Sequence, residues 1–120
     1  MARRQVQKIK KAPINSRKKG AVGELEFANM LKLAGIDARR GQQFSGGKDS
    51  PDVVTDLTDV HFEVKRKESG NLYEWYEQAK TDGIGKLSIV AHRRNGAQWL
   101  AILDMHDLLD LLILREGTLL

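Results

Sequence analysis

Residues 51–67, PDVVTDLTDVHFEVKRK, constrain the fold of this chain more than any other stretch. Two β-prone runs flank the turn-forming DLTD. The second run alternates, with Val60, Phe62 and Val64 on one face and His61, Glu63 and Lys65 on the other. Such a strand is buried on at least one face, and a charge near that layer costs free energy unless a partner or a cation compensates it. Folding the two runs as a hairpin about the Leu57–Thr58 bond sets Asp52 opposite Glu63. Directly paired Cβ atoms lie roughly 4.5–5.5 Å apart, close enough for two carboxylates to share one divalent cation. A slip of one residue undoes that pairing.

The flanking sequence supplies the other layers. A helix is predicted from about Gly20 to Ala34, ending before Gly35. A short strand over Asp37 to Gly41 and the loop QQFSGGKDSP lead into strands near Asp52–Asp56 and Val60–Lys67. Asn71, with Glu74 three residues on, is placed to cap a helix reaching about Thr81, whose apolar stripe is Leu72, Trp75, Tyr76 and Ala79. KLSIVAH and QWLAIL read as two strands joined by the turn RRNGA, and Asp104 caps a last helix, MHDLLDLLILREG. The order α-β-β-β-α-β-β-α predicts a mixed α/β sandwich around a central sheet.

The first helix contributes a third acid. At roughly 100° per residue, Glu24 points with Phe27, Ala28 and Leu31, away from the wet face marked by Asn29 and Lys32, while Glu26 sits nearer the wet side. A glutamate on a buried stripe needs a cation or a lysine beside it.

Charge is distributed unevenly. The net charge of +4 over 120 residues conceals a basic arm, because Arg3, Arg4, Lys8, Lys10, Lys11, Arg17, Lys18 and Lys19 precede the first acidic residue. Removing residues 1–19 leaves twelve basic against sixteen acidic side chains. A basic arm on a mildly acidic body suits a polyanion such as DNA, and its Pro13 and lack of periodicity predict disorder until it binds. With no cysteine, thiolate metal sites, disulfides and cysteine nucleophiles are excluded. No apolar run approaches the ~18 residues of a membrane span, and no apolar segment follows the basic start as in a secretory signal, so a cytoplasmic protein is expected. The glycine-rich stretches Gly41–Lys48 and Gly83–Lys86 do not match the phosphate-loop pattern, so no nucleotide cofactor is expected. His61, His92 and His106 share no metal-ligand spacing and read as structural or surface histidines. Trp75, Tyr76 and Trp99 read as core or interface.

Pro51-Asp52 followed by Glu63-Val64-Lys65 on the next strand resembles the signature of PD-(D/E)XK nucleases. The helix opening Lys19-Gly20-Ala21-Val22-Gly23-Glu24, the loop Ser45-Gly46-Gly47 and the order of elements resemble, more narrowly, archaeal-type Holliday junction resolvases and their phage relatives, over about Lys19 to Leu103. The resemblance implies a restriction-endonuclease-like fold for the domain of residues 20–120, while the charge pattern makes residues 1–19 a DNA-contacting arm. It implies that Asp52, Glu63 and the carbonyl of Val64 ligate Mg²⁺ or Mn²⁺. Glu24 would bind metal through water or hold a second ion, Lys65 would orient or help deprotonate the attacking water, and Ser45 would touch the scissile backbone. Gln78, on the second helix, is a further candidate by the same resemblance. The reaction implied is in-line phosphodiester hydrolysis on branched DNA, by a homodimer whose two sites suit a four-way junction. The leucine-rich Leu108–Leu114 offers apolar surface for the seam. These resolvases tend to carry arginine directly after the helix glutamate, where this chain has Leu25, and that departure bears on junction specificity. A nickase or restriction-like nuclease acting on duplex or flap DNA, and a non-catalytic DNA-binding module on the same fold, are the alternatives.

Overall fold

In the computed structural model, which describes residues 16–41 and 52–118, the alternating run forms an edge strand of a three-stranded sheet. The elements in chain order are α1 (Ser16–Leu33), β1 (Ala38–Arg40), β2 (Val53–Thr55), β3 (Val60–Arg66), α2 (Leu72–Asp82), β4 (Leu87–Arg93), β5 (Leu100–Ile102) and α3 (Met105–Thr118). The predicted mixed α/β order is therefore the order found. Both faces of β3 are covered, since His61, Phe62, Glu63 and Val64 are all buried. Phe62 and Val64 join Phe27, Ala28 and Leu31 of α1, with Ala38, Val53 and Ala91, in the larger core. Phe27 meets Phe62 edge-on at 5.2 Å between ring centroids and Trp99 at the same separation, which places Trp99 in the core, as its sequence reading has it. Trp75, Ala79 and Val90 form a second cluster beneath α2.

The strand pairing departs from the sequence reading. β3 runs parallel to β4, which pairs antiparallel with β5. β2 pairs antiparallel with β1, with Arg40 opposite Val53. The expected β2–β3 hairpin ladder is absent among the described residues. Leu57 to Asp59 do not close a tight two-strand turn, because the Asp59 carbonyl accepts from Leu87 N–H, so the start of β3 is tied to β4 instead. The parallel β3–β4 pair needs a crossover, and α2 provides it.

Local signals explain most of the boundaries. Asn71 caps α2, accepting from the N–H groups of Tyr73 and Glu74. Trp75 and Ala79 of the expected stripe are buried, whereas Leu72 at the first turn remains exposed. Asp104 accepts from His106 N–H at 2.7 Å at the start of α3. Gly96 adopts a positive φ of 71° in the turn between β4 and β5. The first helix begins at Ser16, a turn earlier than expected. Arg17, Lys18 and Lys19 are good helix formers with no breaker among them, and Lys19 is anchored to Glu68 at 2.8 Å. Lys18 and Lys19 thus stand on α1 rather than in an arm. Arg3, Arg4, Lys8, Lys10, Lys11 and Ser45 lie outside the described residues, as does the side chain of Arg17.

Candidate active site

The two faces of β3 divide the labour. Phe62 and Val64 hold the strand on α1, while His61, Glu63 and Lys65 point towards α2. A glycine in α1 permits the close approach on the first side: a Cβ at Gly23 would lie 2.5 Å from Arg66 Cβ. The next residue, Glu24, is thereby carried to the edge of β3. The result is a polar cleft of about 530 Å³ lined by Glu24, Asp52, Glu63, Lys65 and Gln78, among others.

Asp52 reaches β3 by its side chain rather than by a ladder. Its Oδ2 accepts the Val64 N–H at 3.0 Å, which sets the carboxylate beside Glu63 and Lys65 although the strands are not paired. Burial, then the charge of Glu63, pushes the Asp52 carboxyl up to about 6, with Glu24 adding to the rise and Lys65 opposing it. That crowding of negative charge is what a hard cation would relieve, and the donors on offer are all oxygens, as Mg²⁺ or Mn²⁺ requires. The residues present therefore fit a divalent ion held by Asp52 and Glu63.

Glu63 is only 5% exposed. Its Oε1 lies 3.2 Å from His61 Nε2 and its Oε2 lies 3.8 Å from Lys65 Nζ. Lys65 donates to Gln78 Oε1 at 2.9 Å, so α2 fixes the ammonium at the cleft. Glu24 is held by Arg40 of β1, with Nε to Oε1 at 2.9 Å.

Sequence reasoning missed Arg40 and the surroundings of His61. Alternation in β1 places Arg40 on the same side as buried Ala38, and that signal was present in the sequence. The guanidinium beside Glu24 comes from this strand, while Leu25 points outward, 51% exposed. His61, read as structural, belongs with Glu63 and Asp82 to the single group of metal-ligating side chains among the described residues whose donor atoms all lie within 4.8 Å of one another. Asp52 and Glu24 share the cleft but are not part of that tight group. Glu26 keeps the wetter position expected of it, its side chain 37% exposed against 13% for Glu24, and its Oε1 is 2.8 Å from Arg93 Nη1 and 3.8 Å from Arg66 Nε.

The two glutamates of α1 can thus be separated by experiment. Glu24→Gln is expected to lower DNA cleavage strongly, while Glu26→Gln leaves cleavage nearly unchanged and costs at most about 1 kcal/mol of stability, as for a partly exposed ion pair. Cleavage rates and thermal melts of the two variants check this, and equal losses of activity would remove Glu24 from the site.

The fold is nuclease/resolvase-like, as a solved structure shows. Among solved structures, the chain is similar to Hjc, a Holliday junction resolvase from the archaeal hyperthermophile Archaeoglobus fulgidus, at a TM-score of 0.52 and 27% identity, over 71% of this chain and 72% of that one. No family model and no curated protein matches the chain. The resemblance to PD-(D/E)XK resolvases drawn from the Pro-Asp and Glu-Val-Lys stretches is thus borne out in three dimensions. No helix among the described residues is long and apolar enough to cross a membrane.

Proposed function

We propose that this protein is a divalent-cation-dependent endonuclease that hydrolyses phosphodiester bonds in branched DNA, with Asp52, Glu63 and Lys65 as its catalytic residues. The observation that carries the reading is the convergence of these three side chains, with Glu24 beside them, in one polar cleft of a resolvase-like fold. A non-catalytic DNA-binding module has no use for two crowded carboxylates next to a fixed lysine.

Asp52 and Glu63, with the Val64 carbonyl, would hold the cation, which when bound supplies a Lewis acid for the phosphate and a more acidic water. Lys65, steadied by Gln78, offers a fixed positive charge to the phosphate and a donor to the attacking water. Arg40 keeps Glu24 at the cleft, where the acid adds ligand oxygen or receives a water hydrogen bond. Phosphodiester hydrolysis in line would leave a 5′-phosphate.

Two further parts complete the proposal. The basic residues ahead of Ser16 bind backbone phosphates as an arm on the nuclease domain. The protein acts as a homodimer in the cytoplasm, with α3 as seam: Leu109, Leu112, Ile113 and Leu114 are all exposed on it, an apolar surface that a second copy would cover. Incubating the purified protein with Mg²⁺ and a panel of four-way junction, flap, nicked and linear DNAs tests the reading. Preferred cleavage of the junction is expected. Equal cutting of nicked and linear duplex would replace it with a nickase, and no cutting of any DNA would leave a binding module.

A further inference from the structure

The polar face of β3 holds one group that the reaction outlined above leaves unused. His61 is 7% exposed and lies under the C-terminal end of α2. The cap residue Gly83 has no side chain there because the imidazole occupies the room: a Cβ on Gly83 would stand 2.4 Å from His61 Cβ and 2.6 Å from Cγ. That end of α2 is itself fixed to the sheet, since the Ala79 carbonyl accepts both Gly83 N–H at 2.9 Å and the Ser88 hydroxyl of β4 at 3.1 Å. The ring is therefore held from above by α2 and from below by β3.

Its Nε2 stands 3.2 Å from Glu63 Oε1. An ionised carboxylate only accepts, so in the pair with charged Glu63 the Nε2 carries the hydrogen and donates it. One oxygen of Glu63 is thereby occupied, and the other, Oε2, faces Lys65 at 3.8 Å. Without that donor, Oε1 of the buried glutamate loses its histidine partner and is left beside a second acid, Asp82, on the same side. Carboxylate ligands depend on such outer hydrogen bonds for orientation, and losing one typically costs about 10–100-fold in metal affinity.

We propose that His61 is a positioning residue for the catalytic centre: wedged against Gly83, it holds Oε1 of Glu63 so that Oε2 is presented to the cleft beside Lys65 and Asp52. The inference deepens the nuclease reading and rests on it. It assigns His61 no contact with DNA or with the cation.

The test compares His61→Phe, which keeps a ring and removes the donor, with His61→Gln, which keeps a donor near the Nε2 position. Mn²⁺ binding to DNA-free protein by calorimetry and Mg²⁺-dependence of junction cleavage are the two readouts. His61→Phe is expected to raise the Mn²⁺ concentration for half-saturation by about 10–100-fold, with cleavage recovering towards wild type at high Mg²⁺. His61→Gln should stay within a few-fold of wild type in both. If the Phe variant melts far below the wild type, His61→Leu replaces it in the same comparison. A donor-free variant that binds Mn²⁺ as tightly as wild type overturns the inference while leaving the nuclease reading intact. So does a Gln variant as weak as the Phe variant, which would show that only packing matters. A second Mn²⁺ in wild type that disappears in both variants would make His61 a ligand, and that also overturns a positioning role. Wild-type protein that takes up no Mn²⁺ and cuts no DNA overturns the nuclease reading itself, and the inference falls with it.

Discussion

Asp52→Asn, Glu63→Gln and Lys65→Ala are each expected to reduce junction cleavage by ~10²–10³ or more while leaving DNA binding nearly intact. In the proposed mechanism the three act on cation, water and phosphate charge, whereas most affinity is assigned to basic groups elsewhere. Single-turnover cleavage with Mg²⁺ and binding in EDTA separate the two, and full activity of Lys65→Ala would end the mechanism proposed here. Asp52→Asn has a second expected result. The carboxyl, at about 6 in the folded protein against an ordinary value of 3.8, is held above its unfolded value by burial and by Glu63. The unfolded chain therefore releases this proton first, and stability of the metal-free fold falls as pH rises from about 4 to about 6. At neutral pH the ionised group costs up to about 2 kcal/mol after allowance for partial solvent screening. Asparagine keeps an acceptor for Val64 N–H and carries no charge. In EDTA, then, Asp52→Asn should melt higher than wild type at pH 8 and gain little at pH 4. Thermal melts at the two pH values decide it, and a loss of stability at both would show that Asp52 is not crowded by its neighbours.

The second large effect concerns the basic arm. Helix α1 begins at Ser16 and Lys19 is tied to Glu68, so removing residues 1–15 takes away Arg3, Arg4, Lys8, Lys10 and Lys11 without cutting into the helix. Each phosphate neutralised contributes about −0.9 to the slope of log affinity against log salt on duplex DNA. If all five contact phosphates, truncation should flatten that slope by about 4.5 units, and half of those contacts would still change it by roughly 2. Binding at physiological salt should weaken sharply while slow cleavage persists at low salt. Titrations at several salt concentrations measure this, and an unchanged slope would show that the folded body alone grips DNA.

Much of this was legible because local chemistry agreed with the global fold. Asn71 and Asp104 announced two helices by their capping side chains, and the alternation of β3 sorted Phe62 and Val64 from Glu63 and Lys65 before any fold was known. Glu24 was found by helical phase. What stayed hidden was pairing at a distance. DLTD looks like a hairpin turn, yet nothing in its residues tells that Leu87 will bond the Asp59 carbonyl and draw β3 into a parallel pair. Asp52 arrived beside Glu63 by a side-chain bond to Val64, so the expected neighbours were found although the expected register was not. The role proposed for His61 was invisible because it depends on Gly83, twenty-two residues away in the chain, having no side chain. The partner of Glu26 stayed hidden because Arg93 comes from another strand.

The union of β2 with β3 has a consequence for how this protein would fail. Asp52 belongs to the β1–β2 ribbon, whereas Glu63 and Lys65 belong to the three-stranded sheet. The two units meet through Ala38 and Val53 in the shared core and through one carboxylate bond to Val64. Few backbone bonds cross that joint, so it is expected to open before either unit melts. Warming or mild denaturant should therefore silence the protein at a point where its circular dichroism is still native. The proposed catalytic pair would then act as a gauge of the joint, reading zero before the framework gives way.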